Sequence, residues 1–457
     1  MNPSCKHRAI DTNPMKTLEQ LQSGSLQGVH RLNLSCELRH VPEEIFDLAD
    51  SLEVLDLSHN SLSSLPDQLP RLHRLKAIFL NNNQFETVPE VLAQCPQLSI
   101  ISFKSNYLTH LSETALPLHT RWLILTNNQL TALPAALGKL SKLQKLMLAG
   151  NRLQSIPDAL SACLNLELIR IAANQLTSLP QWLLTMPRLA WLACAGNPCC
   201  AQRAAAQHCP THLDHIDWAD LDIGEKLGQG ASGIIYQGVW KNGTVPKDVA
   251  VKVFKGEVTS DGLPEDEMRA CIAAGPHQNL VSVLGKVINH PDHKEAVVFP
   301  FIPSSFKTLG GPPNLESCTR DTYQPNQEFP LGVSLQIIQS IAAALSYLHS
   351  RGILHGDLYA HNILTRDSGD SYLGDFGAAA FYDPADPTWG PGLQRLEARA
   401  FGCLLDDLLT RCPPSDRDRH PEVYEQLLQL RQACTAPTTF SRPLITSICN
   451  ELGGLTI

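Results

Sequence analysis

The chain has 457 residues, of which 43% are hydrophobic, and its formal net charge is −9. This length accommodates two or three domains, each with its own hydrophobic core. The acidic balance argues against nucleic acid as a partner, because nucleic-acid-binding proteins present a basic surface. We find no apolar run of signal-peptide length at the N-terminus and none of the ~20 residues that a membrane span needs. The 14 cysteines are scattered, which favours reduced thiols and a cytoplasmic location.

A repeat dominates the first half of the chain. "LEVLDLSHNSLSSLP" begins at Leu52, and "LQKLMLAGNRLQSIP" and "LELIRIAANQLTSLP" follow at Leu143 and Leu166. The L-x-L alternation predicts a short strand with inward-facing leucines, and no single copy can bury its apolar face alone. We therefore predict about eight stacked copies that form a curved solenoid. The position after the strand, asparagine in all but the first copy, is filled in successive copies by Cys36, Asn60, Asn83, Asn106, Asn128, Asn151, Asn174 and Asn197.

The pattern L-x-x-L-x-L-x-x-N-x-L-x-x-L-P over residues 29–198 resembles the leucine-rich repeat family. The resemblance implies an N-terminal cap over residues 1–28 and a C-terminal cap or linker over residues 199–218. Strand positions between the leucines would form a concave face, and in this family that face binds protein partners. We expect an apolar, aromatic binding surface that includes Phe79, Ile100, Trp122, Met147 and Trp191.

A cysteine- and histidine-rich stretch closes the repeats, from Cys194 to His215. It contains no C-x-x-C pair, so its spacing is poor for zinc. We interpret it as a cap with buried thiols rather than as a metal site.

The next segment contains glycines that can approach phosphates. Gly228, Gly230 and Gly233 form G-x-G-x-x-G, and the following "GIIYQGVW" is β-branched and aromatic. A dinucleotide-binding fold would place a helix there, whereas this composition predicts a hairpin strand. The strand "DVAVKVF" then brings Lys252, whose offset from the glycines is typical of a lysine that contacts ATP phosphates.

A predicted helix and a predicted strand follow the lysine. In "LPEDEMRACIAAG" we select Glu267 as the ion-pair partner of Lys252, with Glu265 and Asp266 as alternatives because helix phase alone does not decide between them. "EAVVFPFI" predicts a strand that leads to a hinge, with Phe299 facing the nucleotide pocket and Pro300 and Phe301 beside adenine. The Pro-rich segment after it predicts a loop with little structure of its own.

The stretch "HGDLYAHNIL" from His355 follows a strongly amphipathic helix. A protein-kinase loop would read H-R-D-L-K-x-x-N. Residues 219–457 therefore resemble the eukaryotic-type protein kinase fold, by the order glycine loop, V-A-V-K, helix Glu, H-x-D-L-x-x-x-N and D-F-G. The whole chain resembles the leucine-rich repeat protein kinases: an α/β solenoid followed by a two-lobed α+β protein-kinase-like domain.

The kinase resemblance assigns roles to individual residues. Asp357 would accept the proton of the attacking hydroxyl, while Asn362 and Asp375 would hold Mg²⁺. His355 is interpreted as a packing residue. The residues implied for ATP binding are Leu227, Gly228, Gly230, Gly233, Ile235, Ala250, Lys252, Pro300 and Phe301.

Four departures from the kinase pattern bear on regulation and on the acceptor. Gly356 stands where the pattern has the Arg that binds a phosphate on the activation loop, so we expect no activation by phosphorylation of that loop. Tyr359 stands where the pattern has Lys, so either the rate falls or a basic residue from elsewhere, such as Arg366, substitutes. No A-P-E follows D-F-G, and the acidic residue expected in the next helix is Glu397. The chain after it is short. Arg442 matches a late Arg of the family but lacks its acidic partner.

Three functions remain open from sequence. The first is an ATP-dependent protein kinase, with Ser or Thr preferred over Tyr as the acceptor and with the repeats recruiting proteins. The second is a small-molecule phosphotransferase, because "HGDLxxxN" is also the form seen in aminoglycoside and choline kinases. The third is a pseudokinase scaffold, which is disfavoured because Lys252, Asp357 and Asp375 are all retained.

Overall fold

The computed structural model describes residues 17–200, 213–241 and 245–457. One eight-stranded parallel sheet runs through the first part, and each strand follows its neighbour in chain order. The predicted solenoid is confirmed. Its strands β1 to β8 are Arg31–Asn33, Val54–Asp56, Ala77–Phe79, Ile100–Ser102, Trp122–Ile124, Lys145–Met147, Leu168–Arg170 and Trp191–Ala193.

Short 3₁₀ helices return the chain behind the sheet: Glu43–Leu48, Leu69–Arg71, Glu90–Gln94, Ala135–Lys139, Asp158–Ala162 and Gln181–Thr185. A short α-helix, Leu18–Gln22, opens the described chain, and Thr17 caps its N-terminus through a capping box. The leucines of successive copies pack into one continuous core.

The repeat asparagines close the turns after the strands. Asn83 accepts a hydrogen bond from the Leu62 amide at 2.9 Å and donates one to the Leu57 carbonyl at 2.9 Å. A thiol cannot reproduce this donor and acceptor pair, and Cys36 in the first copy is exposed. Its amide instead donates to Asn60 of the next copy at 3.1 Å. Each asparagine therefore joins neighbouring turns as well as its own.

The second part begins with a six-stranded sheet. Its strand order is Leu221–Gln229, Gly233–Trp240, Lys247–Phe254, Ala296–Pro300, Gly285–Ile288 and Asp214–Asp217. All neighbours are antiparallel except the last pair, in which Asp214–Asp217 runs parallel to Gly285–Ile288. The sheet thus includes residues that directly follow the repeats. Helix Pro264–Ala274 packs beside it.

The larger lobe is helical. Its helices are Leu331–Ser350, Trp389–Thr410, Pro414–Arg419, Pro421–Cys434 and Ile445–Gly453. Two small sheets carry the catalytic loop: Lys307–Thr308, Ile363–Thr365 and Ser371–Leu373 form one, and Ile353–Leu354 with Ala380–Phe381 form the other. The remaining 3₁₀ turns are Trp218–Asp220, Ala360–Asn362 and Thr439–Ser441.

Helix Leu331–Ser350 is long and apolar enough, by length and composition alone, to cross a membrane. The sequence search for apolar runs did not identify it. In the structure 61% of its apolar window is buried inside the lobe. Its buried face explains the hydrophobicity, because a core helix of a large domain needs only a narrow polar face toward solvent.

The concave face of the solenoid packs against the second part. Met147, Leu168 and Trp191 belong to the same buried cluster as residues of the larger lobe. In return, Leu354 and Tyr382 join the core of the repeats. The two parts therefore share hydrophobic cores, and the catalytic loop lies at their boundary.

Candidate active site

The glycine loop joins strands Leu221–Gln229 and Gly233–Trp240. The Gly230 amide donates to the Gly233 carbonyl at 3.0 Å and closes the hairpin. A Cβ on Gly233 would lie 2.6 Å from the Val253 carbonyl oxygen, so only glycine fits there. Gly228 and Gly230 have no neighbouring atom within 4 Å of such a Cβ. Their open side is where phosphate oxygens can approach the backbone amides.

The neighbouring strands present further predicted residues on one face. Lys252 lies opposite Ile235, and Ala250 lies opposite Phe299. Since side chains two apart in a strand share a face, all four point the same way. Pro300 ends its strand in an exposed position, and Leu227 is 50% exposed. The Phe301 amide donates a hydrogen bond to the Asp248 carbonyl at 3.4 Å, so the pairing between the two strands continues into the hinge.

The ion pair of Lys252 is formed with Glu267, the residue selected from sequence. The alternatives point elsewhere, because Glu265 and Asp266 pair with Arg269 on the same helix. Burial alone would lower the pKa of Lys252, but the carboxylates of Glu267 and Asp375 outweigh burial and raise it. The lysine therefore stays charged and is held toward the phosphate side.

The catalytic loop brings Asp357 and Asn362 into contact. The Asn362 side-chain amide donates to the Asp357 carbonyl and to its Oδ2, both at 2.9 Å. His355 is fully buried, with its Nε2 2.9 Å from the Gly374 carbonyl oxygen and its ring beside Phe376. These contacts agree with a packing role for His355.

Asp375 lies across from this loop with an exposed side chain and a left-handed backbone, at φ 56°. Its Oδ1 accepts from the Gly377 amide at 3.1 Å. Asn362 and Asp375 offer amide and carboxylate oxygens, the ligands that Mg²⁺ prefers when phosphate supplies the others. Within the described ranges the structure contains no group of three or more His, Cys, Asp or Glu that could hold a metal ion.

Glu397 anchors the catalytic loop from helix Trp389–Thr410. Its Oε1 accepts from the Gly356 amide at 2.7 Å, and its Oε2 lies 2.6 Å from the His349 Nε2. Burial would raise the pKa of Glu397, but the hydrogen bond from His349 and its charge outweigh it, so the pKa is lowered. The glutamate therefore holds the backbone of the catalytic loop, a contact that the sequence analysis did not predict.

The Pro-rich segment contributes more than a loop. Its Asp321 accepts from the Ala360 amide at 2.5 Å and binds the His361 Nδ1 at 2.6 Å. Although burial lowers the pKa of His361, the hydrogen bond and charge of Asp321 reverse the effect and raise it. Sequence analysis missed Asp321, because nothing in a loop sequence says where the loop docks.

Two side chains of the repeats reach the catalytic loop, and sequence analysis did not assign them to it. Arg170 forms an ion pair with Asp357 and donates to the Gly356 carbonyl at 3.1 Å. Trp191 donates to the Leu358 carbonyl at 2.9 Å, and its ring stacks on Tyr359 with centroids 4.5 Å apart. Burial would raise the pKa of Asp357, but Arg170 outweighs it and holds the pKa low.

The structure corrects two expectations. Arg366 does not replace the missing basic residues, because it pairs with Asp370 at 2.6 Å and lies over Phe306. Met147 and Trp191 do not form a free partner surface, because they are buried against the chain's own second part. Trp122 packs against the same cluster, Ile100 is buried, and Phe79 is half-buried.

Arg442 and the cysteine-rich stretch are two further features that the sequence analysis singled out. Arg442 is buried and donates to carbonyls, among them Ala436 at 2.8 Å and Pro187 at 2.8 Å, so backbone oxygens replace the missing acidic partner. Of the cysteine-rich stretch, His208, Cys209 and His212 lie outside the described residues. The Cys200 thiol donates to the Cys194 carbonyl at 3.3 Å, in keeping with a cap.

Comparisons with known proteins agree with this geometry. Residues 221–388 match the family model described as protein tyrosine and serine/threonine kinase. Residues 27–85 and 118–176 match a leucine-rich repeat model.

Curated relatives match over shorter stretches. A probable serine/threonine-protein kinase of Dictyostelium discoideum, kinY, is 33% identical over 36% of this chain and 29% of its own length. A second probable serine/threonine-protein kinase of that organism is 29% identical over 37% of the chain and 10% of its length. A putative serine/threonine-protein kinase/receptor of Acanthamoeba polyphaga mimivirus is 29% identical over 43% and 12%. The chain thus spans less than a third of the length of each of these relatives.

The two family matches fall on the two parts that the structure describes, the parallel solenoid and the two-lobed domain with its Lys252–Glu267 pair. The chain therefore combines leucine-rich repeats with a protein tyrosine and serine/threonine kinase domain, an arrangement that fits the leucine-rich repeat protein kinases.

Proposed function

We propose that the protein is an ATP-dependent protein kinase that transfers the γ-phosphoryl group to a serine or threonine hydroxyl, with Mg²⁺ as cofactor. The observation that carries the proposal is the assembled constellation of Lys252 paired with Glu267, and Asp357 in contact with Asn362. A pseudokinase reading finds no support, since no residue that the chemistry requires is missing. The curated relatives named as serine/threonine kinases support the acceptor type.

Each residue has a task that follows from its chemistry. The glycine loop and Lys252 bind and orient phosphates, because free amides and an ammonium group complement their charge. Asn362 and Asp375 would hold Mg²⁺, which neutralises charge on the phosphates when bound. Asp357 accepts the proton of the acceptor hydroxyl. Leu227, Ile235, Ala250, Phe299, Pro300 and Phe301 would enclose the adenine and ribose.

One observation favours a second candidate, a phosphotransferase with a small hydroxyl compound as its acceptor. Strands of the solenoid cover the loop beside Asp357, and Ala378 just after D-F-G packs against Ala149, Ala172 and Ala193. A small acceptor needs less open surface there than a folded protein does. The repeats that do not pack against the second part of the chain favour a protein partner for the enzyme, since leucine-rich repeats generally mediate protein interactions.

The test measures ATP turnover and phosphate transfer with Mg²⁺ for the wild type, Asp357→Asn and Lys252→Met. We expect transfer to fall by roughly 10²- to 10⁴-fold in Asp357→Asn, the usual contribution of a general base. Labelled ATP is offered with generic proteins, and in parallel with aminoglycosides and amino alcohols. Equal background in all three enzymes contradicts the proposal, and label on small molecules alone selects the second candidate.

Mapping of autophosphorylation sites by mass spectrometry then identifies the acceptor. Phosphate on serine or threonine is the expected result, and phosphate confined to tyrosine contradicts that part of the proposal. We also propose a cytoplasmic location, which is supported by cysteines such as Cys95 and Cys163 that are free thiols, the state that a reducing compartment maintains.

A further inference from the structure

We propose that Arg170, a residue of the repeats, is a positioning residue of the kinase active site and supplies the positive charge that the catalytic loop lacks at Gly356 and Tyr359. The inference rests on the proposed function, because it concerns the same phosphotransfer site. It makes the solenoid a part of the enzyme's active site in addition to any role in recruitment.

The contacts of Arg170 are the first observation. It ends strand β7 on the concave face, and its side chain is 3% exposed. Its Nη2 pairs with the Asp357 Oδ1, its Nη1 donates to the Gly356 carbonyl at 3.1 Å, and its Nε lies 2.9 Å from the Asp261 Oδ1. One guanidinium group thereby joins the general base, the backbone beside it and the loop before helix Pro264–Ala274.

Neither of the two departed positions of the catalytic loop offers a replacement, and His361 of the same loop is paired with Asp321. Gly356 has no side chain, and Tyr359 is buried with its ring stacked on Trp191. Arg366 is engaged with Asp370 on the exposed hairpin. Among the described contacts of Asp357, Arg170 is the arginine or lysine that pairs with it.

The charge balance shows why a cation is needed at this point. Asp261 and Asp357 both approach Arg170, and Asp375 adds a third carboxylate to the same field. Without a positive charge between them, the mutual repulsion of these carboxylates would displace the Asp357 side chain from its place in the loop. An arginine suits the position because its planar, five-donor fork satisfies several acceptors at fixed angles, which a lysine does less well. Lys145 lies over the ring of Trp122 at 4.3 Å, but burial and the charge of Arg170 lower its pKa, so it is a poor substitute for the arginine.

The interface that holds Arg170 is built like a domain core. Ala378 packs against the small residues Ala149, Ala172 and Ala193 of three successive repeats. A Cβ on Gly356 would lie 2.5 Å from the Leu192 carbonyl oxygen, so the loop approaches the solenoid as closely as backbones can. Large hydrophobic interfaces of this kind hold domains in a fixed relation. Arg170 is therefore a constant part of the site.

A competing explanation is that Arg170 inhibits the enzyme by occupying Asp357, since Oδ1 meets the arginine and Oδ2 meets Asn362. The two explanations predict opposite results when the arginine is removed. A positioning residue lowers kcat on removal, whereas an inhibitory residue raises it.

The experiment measures kcat and the KM for ATP on the full chain. We expect Arg170→Gln to lower kcat by roughly 10- to 100-fold, the cost of a misplaced catalytic group, with KM for ATP within about twofold of the wild type because its contacts lie elsewhere. Arg170→Lys keeps the charge and should give an intermediate kcat. Arg121→Gln is the matched control, because Arg121 lies on the same face and binds the Leu315 and Glu316 carbonyls, away from Asp357.

A second set of variants moves the positive charge from the repeats to the catalytic loop. In the Arg170→Gln background, Tyr359→Lys should recover at least about a third of the lost kcat on a logarithmic scale, because it places an ammonium group on the loop itself. Tyr359→Gln in the same background is its control and should recover nothing. A purely structural role for Arg170 predicts no difference between the two. If Arg170→Gln does not fold, the same comparison is made with Arg170→Lys. Its kcat is measured alone and together with Tyr359→Lys.

The results of these measurements distinguish a failure of this inference from a failure of the proposed function. If the wild type equals Asp357→Asn, the proposed function fails and this inference with it. If the wild type is active and Arg170→Gln is equally active or more active, the kinase stands and the positioning role is overturned. Equal losses in Arg170→Gln and Arg121→Gln also overturn it, because they point to the interface alone.

Discussion

The proposed nucleotide side of the candidate active site and its proposed acceptor side draw on different parts of the chain. The nucleotide side consists of the glycine loop, Lys252 and Glu267, which all lie within one lobe. The acceptor side is completed by residues from three places: Asp357, Asp321 from the Pro-rich segment and Arg170 from the repeats. The nucleotide side is therefore a property of one domain, while the acceptor side is a property of the whole protein.

The largest expected effect comes from removing the aromatic contact that joins the two parts. We expect Trp191→Ala to lower the free energy of unfolding by about 3–5 kcal/mol, because a buried Trp loses its packing, its stack on Tyr359 and its hydrogen bond to Leu358. Thermal denaturation measures the loss, and a nucleotide titration should show MgATP binding within about threefold of the wild type, since the nucleotide side is built without Trp191.

Trp191→Phe is the control for this experiment, since it keeps the ring and removes the N–H donor. It should cost about 0.5–1.5 kcal/mol, the usual worth of one hydrogen bond. A Trp191→Ala protein as stable as the wild type would show that the two parts are not joined as described.

The second expectation concerns the nucleotide side alone. Lys252→Met should lower the free energy of unfolding by about 3 kcal/mol, because it leaves Glu267 buried without its cation. Adding Glu267→Leu should restore much of that stability while phosphotransfer stays lost, since both charged partners are then gone. Denaturant titration of the two single variants and the double variant measures this coupling. Strict additivity of the single effects would contradict the described pair.

A third expectation compares glycines on the two sides. Gly356→Ala should destabilise the protein by about 1–3 kcal/mol, because its φ is +74° and the new Cβ would meet the Leu192 carbonyl oxygen at 2.5 Å. Gly230→Ala on the nucleotide side meets nothing within 4 Å and should change stability by less than about 1 kcal/mol. Melting temperatures of the two variants test the contrast, and equal losses would argue against close contact between the loop and the solenoid.

The smallest expected effect lies on the concave face. Phe79 and Met147 hold equivalent strand positions, but Phe79 is half-buried whereas Met147 is 8% exposed and packed on the second part. Phe79→Ala should cost less than about 1 kcal/mol and leave phosphotransfer unchanged, while Met147→Ala should cost more. Unfolding curves and kinase rates measure both. A larger loss in Phe79→Ala would mean that the covered part of the face is wrongly described.

Much of the nucleotide side follows from sequence because its motifs are local. The β-branched and aromatic residues that follow Gly228, Gly230 and Gly233 predict the hairpin, and V-A-V-K predicts the strand of Lys252. The choice of Glu267 over Glu265 needed the structure, because three adjacent acidic residues leave the phase of the helix open. Asp321 was out of reach for the opposite reason: its segment has almost no periodic structure, and only docking gives it a partner.

The sequence by itself determined the solenoid, the order of the kinase motifs and the chemical identity of Asp357, Asn362 and Asp375, because these depend on short-range periodicity and spacing. Only the tertiary structure shows that the concave face of the solenoid packs against the second part of the chain. Arg170 is visible in the sequence as a charge on an apolar strand, yet its pairing with Asp357 spans 187 residues of chain. Contacts at that separation leave no periodic trace, so only the packing of one domain on the other reveals them.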